Sequence, residues 1–345
     1  MRMTRRILSL LLSLLLSLAL FGCDGFKLPF SEGAQSGGTK SGEEGNVEFS
    51  PTVYTFVTKD TFEKSYSDQL SPNERAVYDA VLAATPGATT VDVTLPELPK
   101  LCRGRAPSDE EMSKLSDDIG SFAANALYAA WLDSPTLFWL DHSKYSYDIA
   151  VESDDDGIVY LKSLKLHLTT TASADVIHEQ LAALTDAVKD FTPTGATVPE
   201  KIAYINTYLT SHIEYDLDAP NRGTIIGALV DGRCVCEGYA RAFDYLCEKA
   251  EIDTVCIPGY AYTDEHPEGE GHMWNAVRID GAFYAIDTTW NDTTETAAYL
   301  LVGSETVCND ETFGKSHKPN MLINDGPHKA FALPSISKMA YSTNP

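Results

Sequence analysis

The chain has 345 residues, 43% of them hydrophobic, enough to bury one sizeable core or two modest ones and far from the disordered class. Its formal net charge of -24 argues against a nucleic-acid partner, because such binding rests on Lys and Arg neutralising phosphates, and against adhesion to anionic lipid through basic patches. The acidity reads instead as a soluble, solvated surface.

The N-terminus reads as a sorting signal. Met1 to Arg6 is basic, and Ile7 to Phe21 is an apolar run rich in Leu and Ser, shorter than the roughly 20 residues of a spanning helix. It closes in Leu20-Phe21-Gly22-Cys23, which resembles a bacterial lipobox and implies cleavage before Cys23 with lipid on its thiol. An uncleaved anchor and an ordinary secretory signal stay open, and each still places the body of the protein outside the cytoplasm. Residues 1–22 are thus read as a signal peptide and 23–48 as a flexible tether. The Gly, Ser, Glu and Lys of 31–46 build no core and span on the order of 20 Å as a random coil.

Residues 49–192 are expected to form an N-terminal α+β region. Ser71-Pro72-Asn73-Glu74 is a capping box that predicts a helix over 72–84, and Ser108 with Glu111 predicts a longer one carrying Ile119, Phe122, Leu127 and Trp131. Alternation in 145–149 and 164–168 around Asp154-Asp155-Asp156-Gly157 predicts a hairpin. Three adjacent carboxylates lack the every-other-residue spacing of a calcium loop, so this is a solvated turn. A helix over 174–190 then leads to the turn-like Pro193-Thr194-Gly195.

A second unit, 193–345, opens with the Thr197/Glu200 capping box and a helix to about His212, followed by loop to Gly232. The apolar stripe Tyr239, Ala240, Phe243, Leu246 and Cys247 marks a helix starting near Cys236, with Cys247 a core thiol. Two strands, 273–279 and 282–288, flank Asp280-Gly281, a strong two-residue turn signal. That turn pairs 279 with 282, so Asp287 lies opposite Trp274 and shares a face with His272, alpha carbons about 7–8 Å apart.

Gly232-Arg233-Cys234-Val235-Cys236-Glu237-Gly238-Tyr239-Ala240, then His272-Met273-Trp274-Asn275, then Ile286-Asp287-Thr288-Thr289-Trp290 resemble, in order and spacing, the three core motifs of the transglutaminase-like superfamily. The resemblance covers about Pro199 to Thr306. It implies an α+β, papain-like core in which a nucleophile helix packs on an antiparallel sheet, with Cys236 as nucleophile, His272 as base and Asp287 orienting the base. The residues support those roles by themselves: a thiol at a helix N-terminus meets unpaired N–H groups and the positive end of the dipole, which favour thiolate.

The expected chemistry is acyl transfer on protein or peptide amides, with the Cys236 N–H as one oxyanion donor. Water as acceptor makes a cysteine protease or amidase, and an amine makes a cross-linking acyltransferase. A catalytically inactive peptide-binding module is the rival reading. No cofactor and no metal are expected: Cys234, Cys236 and His272 lack zinc-knuckle spacing. Five cysteines remain once Cys23 and Cys236 are set aside, and no disulfide is expected. Trp274 and Trp290 are read as core packing, and His317 and Cys308, after the last motif, as incidental. The expected partners are a peptide substrate and, through the lipid anchor, a membrane.

Overall fold

The computed structural model describes residues 58–59, 65–320 and 328–342; the signal-like run, Cys23 and the tether lie outside the described residues. Among the described residues, no helix is long and apolar enough to cross a membrane.

Each helix expected from a capping box starts where the box places it. Glu74 Oε2 accepts the Ser71 N–H at 2.7 Å at the head of Pro72–Leu82, Glu111 accepts from Ser108 at 2.8 Å before Asp109–Asp133, and Glu200 from Thr197 at 3.0 Å before Val198–His212. The predicted hairpin is a long one, Leu140–Ser153 against Ile158–Thr170. In its acidic turn Asp154 Oδ1 accepts the N–H groups of Asp156 and Ile158, at 3.0 and 2.8 Å, so the carboxylate serves the chain's own backbone. Two short strands, Thr90–Val93 and Lys100–Arg103, share the other edge of Ile158–Thr170 end to end. Helix Asp109–Asp133 covers this sheet: Ile119 and Leu127 are buried with Leu161, Leu164 and Leu166, and the Tyr145 and Tyr147 hydroxyls donate to the Gly120 and Ser116 carbonyls.

The C-terminal sheet is antiparallel, in the order Ala282–Ile286, Glu270–Ile279, Thr254–Ala261, His317–Pro319. Its hairpin has the expected register, Ala282 opposite Ile279 through Ile286 opposite Asn275, with Asp280 and Gly281 both at positive φ (51° and 83°) as a tight turn of this kind demands. The second strand ends two residues early, however. Asp287 turns its Oδ1 onto the Trp290 N–H at 2.9 Å and caps the helix Thr288–Thr293, so the chain leaves the ladder at Ile286.

The stretch read as loop between His212 and Gly232 holds two further elements: Glu214–Tyr215, paired in parallel with Arg233–Cys234, and a π-type turn, Gly227–Asp231. Two-residue strands have no period to detect. Strand Thr254–Ala261 also escaped the sequence reading, because Val255, Cys256 and Ile257 are all buried and give no alternation, and Pro258-Gly259 reads as a breaker. A side chain at 259 would meet the Lys318 carbonyl at 2.4 Å and the Trp274 ring at 2.6 Å, so glycine is what lets the neighbouring strand close on this one.

The two halves share one core. The Tyr66 hydroxyl donates to the Cys256 carbonyl at 2.5 Å, and buried Arg241, on helix Cys236–Lys249, donates to the Trp131 carbonyl at 2.8 Å. The described cysteines, Cys102, Cys234, Cys236, Cys247, Cys256 and Cys308, are unbridged.

Candidate active site

Cys236 is the first residue of helix Cys236–Lys249 and is buried. Two contacts set that helix start. The Val235 N–H donates to the Arg222 carbonyl at 2.9 Å, and any side chain at Gly238 would sit 2.6 Å from the same oxygen and 2.5 Å from Cys234 Cβ. The helix is pinned to the sheet by Asn275, whose amide donates to the Ala240 carbonyl at 3.0 Å, and to the next helix by the Tyr239 hydroxyl on Asp292 Oδ2 at 2.5 Å. At N1 the Cys236 N–H has no intrahelical acceptor.

His272 comes from strand Glu270–Ile279, opposite Gly259, close enough to the Cys236 side chain to feel it electrostatically. Its Nε2 donates to Asp287 Oδ2 at 2.6 Å. The structure therefore brings together the three residues that the sequence singled out, although Asp287 reaches His272 from a helix cap and not from a strand position. Burial disfavours charge on His272, but the Asp287 carboxylate, its hydrogen bond and Cys236 outweigh burial and raise the imidazole's pKa to about 10. Burial likewise opposes charge on Asp287, and the His272 charge with hydrogen bonds from His272 and His317 holds the carboxyl well below the usual carboxylate range.

His317 is not incidental. Strand His317–Pro319 pairs with Gly259–Ala261 and delivers His317 to the far side of Asp287, where its Nε2 lies 2.9 Å from the same Oδ2. His317 was missed because it arrives by a three-residue strand formed through non-local pairing; the spacing Phe313 to His317, one helical turn, is the only local hint and a weak one. Cys308 is buried and donates to the Thr306 carbonyl. Trp274 is buried as expected, whereas half-buried Trp290 forms a wall of the groove.

His272, Asp287 and His317 are the one group among the described residues whose donor atoms converge as metal ligands would. Their spacing suits protons: a tetrahedral ion at ordinary bond lengths holds its ligand atoms about 3.3 Å apart, against the 2.6 and 2.9 Å found here.

His272 opens on a groove of about 390 Å³ walled by Tyr215, Glu270, Thr289, Trp290 and Tyr299. Tyr215 packs on Tyr239, and burial together with the nearby Cys236 pushes its hydroxyl's pKa up, keeping it protonated. Neither Tyr215 nor Glu270 was singled out from sequence. Glu270 could have been, because it stands two residues before His272 on a strand and so on the same face.

Residues 183–288 match the transglutaminase-like superfamily. Kyphoscoliosis peptidase of Homo sapiens is 30% identical over 146 residues, which are 38% of this chain and 22% of that protein. The Mus musculus protein is 29% identical over the same length, so the chain spans under a quarter of the curated relatives it matches. Among solved structures, a TGase shares 12% identity at a TM-score of 0.28 over 41% of this chain and 44% of that one. The periplasmic domain of TgpA from Pseudomonas aeruginosa, bound to ethylmercury, shares 15% identity at a TM-score of 0.27 over 46% and 69%. The transglutaminase-like match thus falls on the α+β segment that carries Cys236 and His272 and ends just past Asp287.

Proposed function

We propose that this chain is a thiol acyl-transfer enzyme, held at the outer face of a membrane by lipid on Cys23, that opens protein or peptide amides with Cys236, His272 and Asp287. The observation that carries the reading is the buried series Cys236, His272, Asp287 ending at an open groove. The Cys236 sulfur, having given its proton to His272, attacks the amide carbonyl carbon, and the carbonyl electron pair moves to oxygen, where the Cys236 N–H stabilises it. When the carbon–nitrogen bond breaks, the His272 imidazolium protonates the leaving amine. Water, deprotonated by His272, then displaces the thioester sulfur and releases a carboxylate. Hydrolysis is the preferred fate because the human and mouse relatives are named peptidases.

Labelling of Cys236 by iodoacetamide, read by mass spectrometry across pH, tests the reading. In the wild-type protein it is expected well below the free-thiol pKa of about 8.5, and His272→Ala is expected to abolish that low-pH reactivity. Labelling that rises only near 8.5 and ignores the substitution identifies a binding module instead.

The groove also has a charge preference. Glu270 is the carboxylate among its walls, with exposed His266 the nearby ionisable partner at 3.7 Å. Peptides with Lys or Arg beside the scissile amide are expected to be turned over up to about fivefold better than Glu-containing ones, the size of a solvent-accessible charge pair. Glu270→Gln should erase the difference; equal rates on both peptides by the wild type would contradict it.

A further inference from the structure

We infer that His317 is a positioning residue of this site, acting on His272 through the Asp287 oxygen that both imidazoles share. The inference rests on the acyl-transfer reading above. Asp287 has three hydrogen-bond donors for two oxygens: the Trp290 N–H on Oδ1, and His272 and His317 on Oδ2. All three groups of the histidine–carboxylate–histidine bridge are at most 5% exposed, so water does not compete for that oxygen. His317 is itself fixed. Its ring stacks on Phe313 with centroids 4.0 Å apart, meets Trp290 at 4.5 Å and Trp274 at 5.1 Å, and its Nδ1 lies 2.9 Å from Ser316 Oγ.

A residue needed only to fill this aromatic box would be apolar. A ring that puts an N–H on Oδ2 does two further things. It stops the carboxylate from rotating away from His272, and it draws off part of the charge that would otherwise fall wholly on the His272 proton. Removing that donor leaves Oδ2 to His272 alone, so His272 becomes more basic and parts less readily with the proton the leaving amine needs. Burial lowers the pKa of His317, only partly offset by Asp287, so it works as a neutral donor. The titratable groups facing His272 are Cys236 from the helix, Asp287 from the hairpin end and His317 from the edge strand, with Tyr215 and Glu270 in the adjoining groove. His317 does not line the groove, so substrate binding should not feel it.

Three substitutions separate donor from packing. His317→Phe keeps the ring and removes the N–H, His317→Gln returns an amide N–H near the Nε2 position, and His317→Asn places its amide too short to reach. Cys236 labelling followed to pH 11 has an upper inflection where His272 loses its proton. That inflection is expected to move up by about half to one unit in the Phe and Asn variants and to stay at the wild-type position in Gln. Peptide turnover should fall about tenfold in kcat with KM unchanged in Phe and Asn, as for an interaction expressed in the transition state alone. Wild-type inflection and kcat in the Asn variant, or a Gln variant as impaired as Phe, would overturn the assignment. Should Phe fail to fold, the Gln and Asn pair still decides. Wild-type labelling that is independent of His272 would instead bring down the enzyme reading itself, and this inference with it.

Discussion

Asp287→Ala is expected to lower kcat/KM by about three to four orders of magnitude and to destabilise the fold by roughly 3–5 kcal/mol. The rate loss follows from its place beyond His272: without the carboxylate the imidazole loses both its tautomer and the charge that keeps it protonated beside Cys236. The stability loss has two sources. One is the helix cap on Trp290, and the other is a pair of buried imidazole N–H groups left without an acceptor. Asn is no remedy here. An amide has one oxygen, so either it accepts from the two histidines and turns its NH₂ against the Trp290 N–H, or it caps Trp290 and turns the NH₂ against both histidines. Asp287→Asn is therefore expected to lose most of the activity while keeping more stability than Ala; near-wild-type turnover would refute the shared-oxygen geometry.

The same pair has a pH signature. The folded pKa of His272 lies above its unfolded value of about 6.5, so its contribution to stability is fully present below that pH and is lost as pH rises through about 10. Asp287 is shifted the other way, and its contribution, present above about 4, is lost as pH falls. Denaturant titrations should show the largest gap between wild type and Asp287→Ala on the plateau between those limits, closing at both ends.

Which of these groups can be read from sequence depends on how locally they are placed. His272 and Asp287 belong to one hairpin, and a two-residue turn fixes its register, so counting positions from Asp280-Gly281 brings them to one face with no knowledge of the rest. The count goes wrong at its last step, where the Asp287 side chain competes with the ladder and wins by capping a helix, a contest between strand and cap that alternation does not report. Helix starts were legible for a similar reason, since a capping box closes within four residues. His317 lies 30 residues beyond Asp287 and arrives by pairing with strand Thr254–Ala261, itself hidden because both its faces are buried. No window of neighbouring residues contains that information.

Non-local placement also underlies the second large effect, the loss expected on removing Arg241. This guanidinium is 2% exposed, bonded through Nε to Glu237 at 3.0 Å and through Nη1 to the Trp131 carbonyl at 2.8 Å, and lies 3.8 Å over the Trp131 ring. Burial alone pushes the Glu237 carboxyl up, and Arg241 restrains that rise. Glu237 is the residue after Cys236, so the ion pair ties the nucleophile's own helical turn to the last turn of helix Asp109–Asp133. Arg241→Ala leaves the carboxylate buried without a counter-charge and the Trp131 carbonyl without a donor, and is expected to cost about 3–5 kcal/mol in chemical denaturation. If the unpaired charge is the cause, Glu237→Gln combined with Arg241→Met, which removes both charges and keeps the volume, should recover most of that loss. A double variant as unstable as the single one would transfer the effect to the cation–π contact with Trp131. In either case the helix that presents Cys236 is held by a residue outside the three motifs, so losing Arg241 should loosen the nucleophile's position before the whole chain unfolds. Protection of the fully buried Cys247 thiol, on the same helix, at denaturant concentrations below the main transition measures that loosening directly.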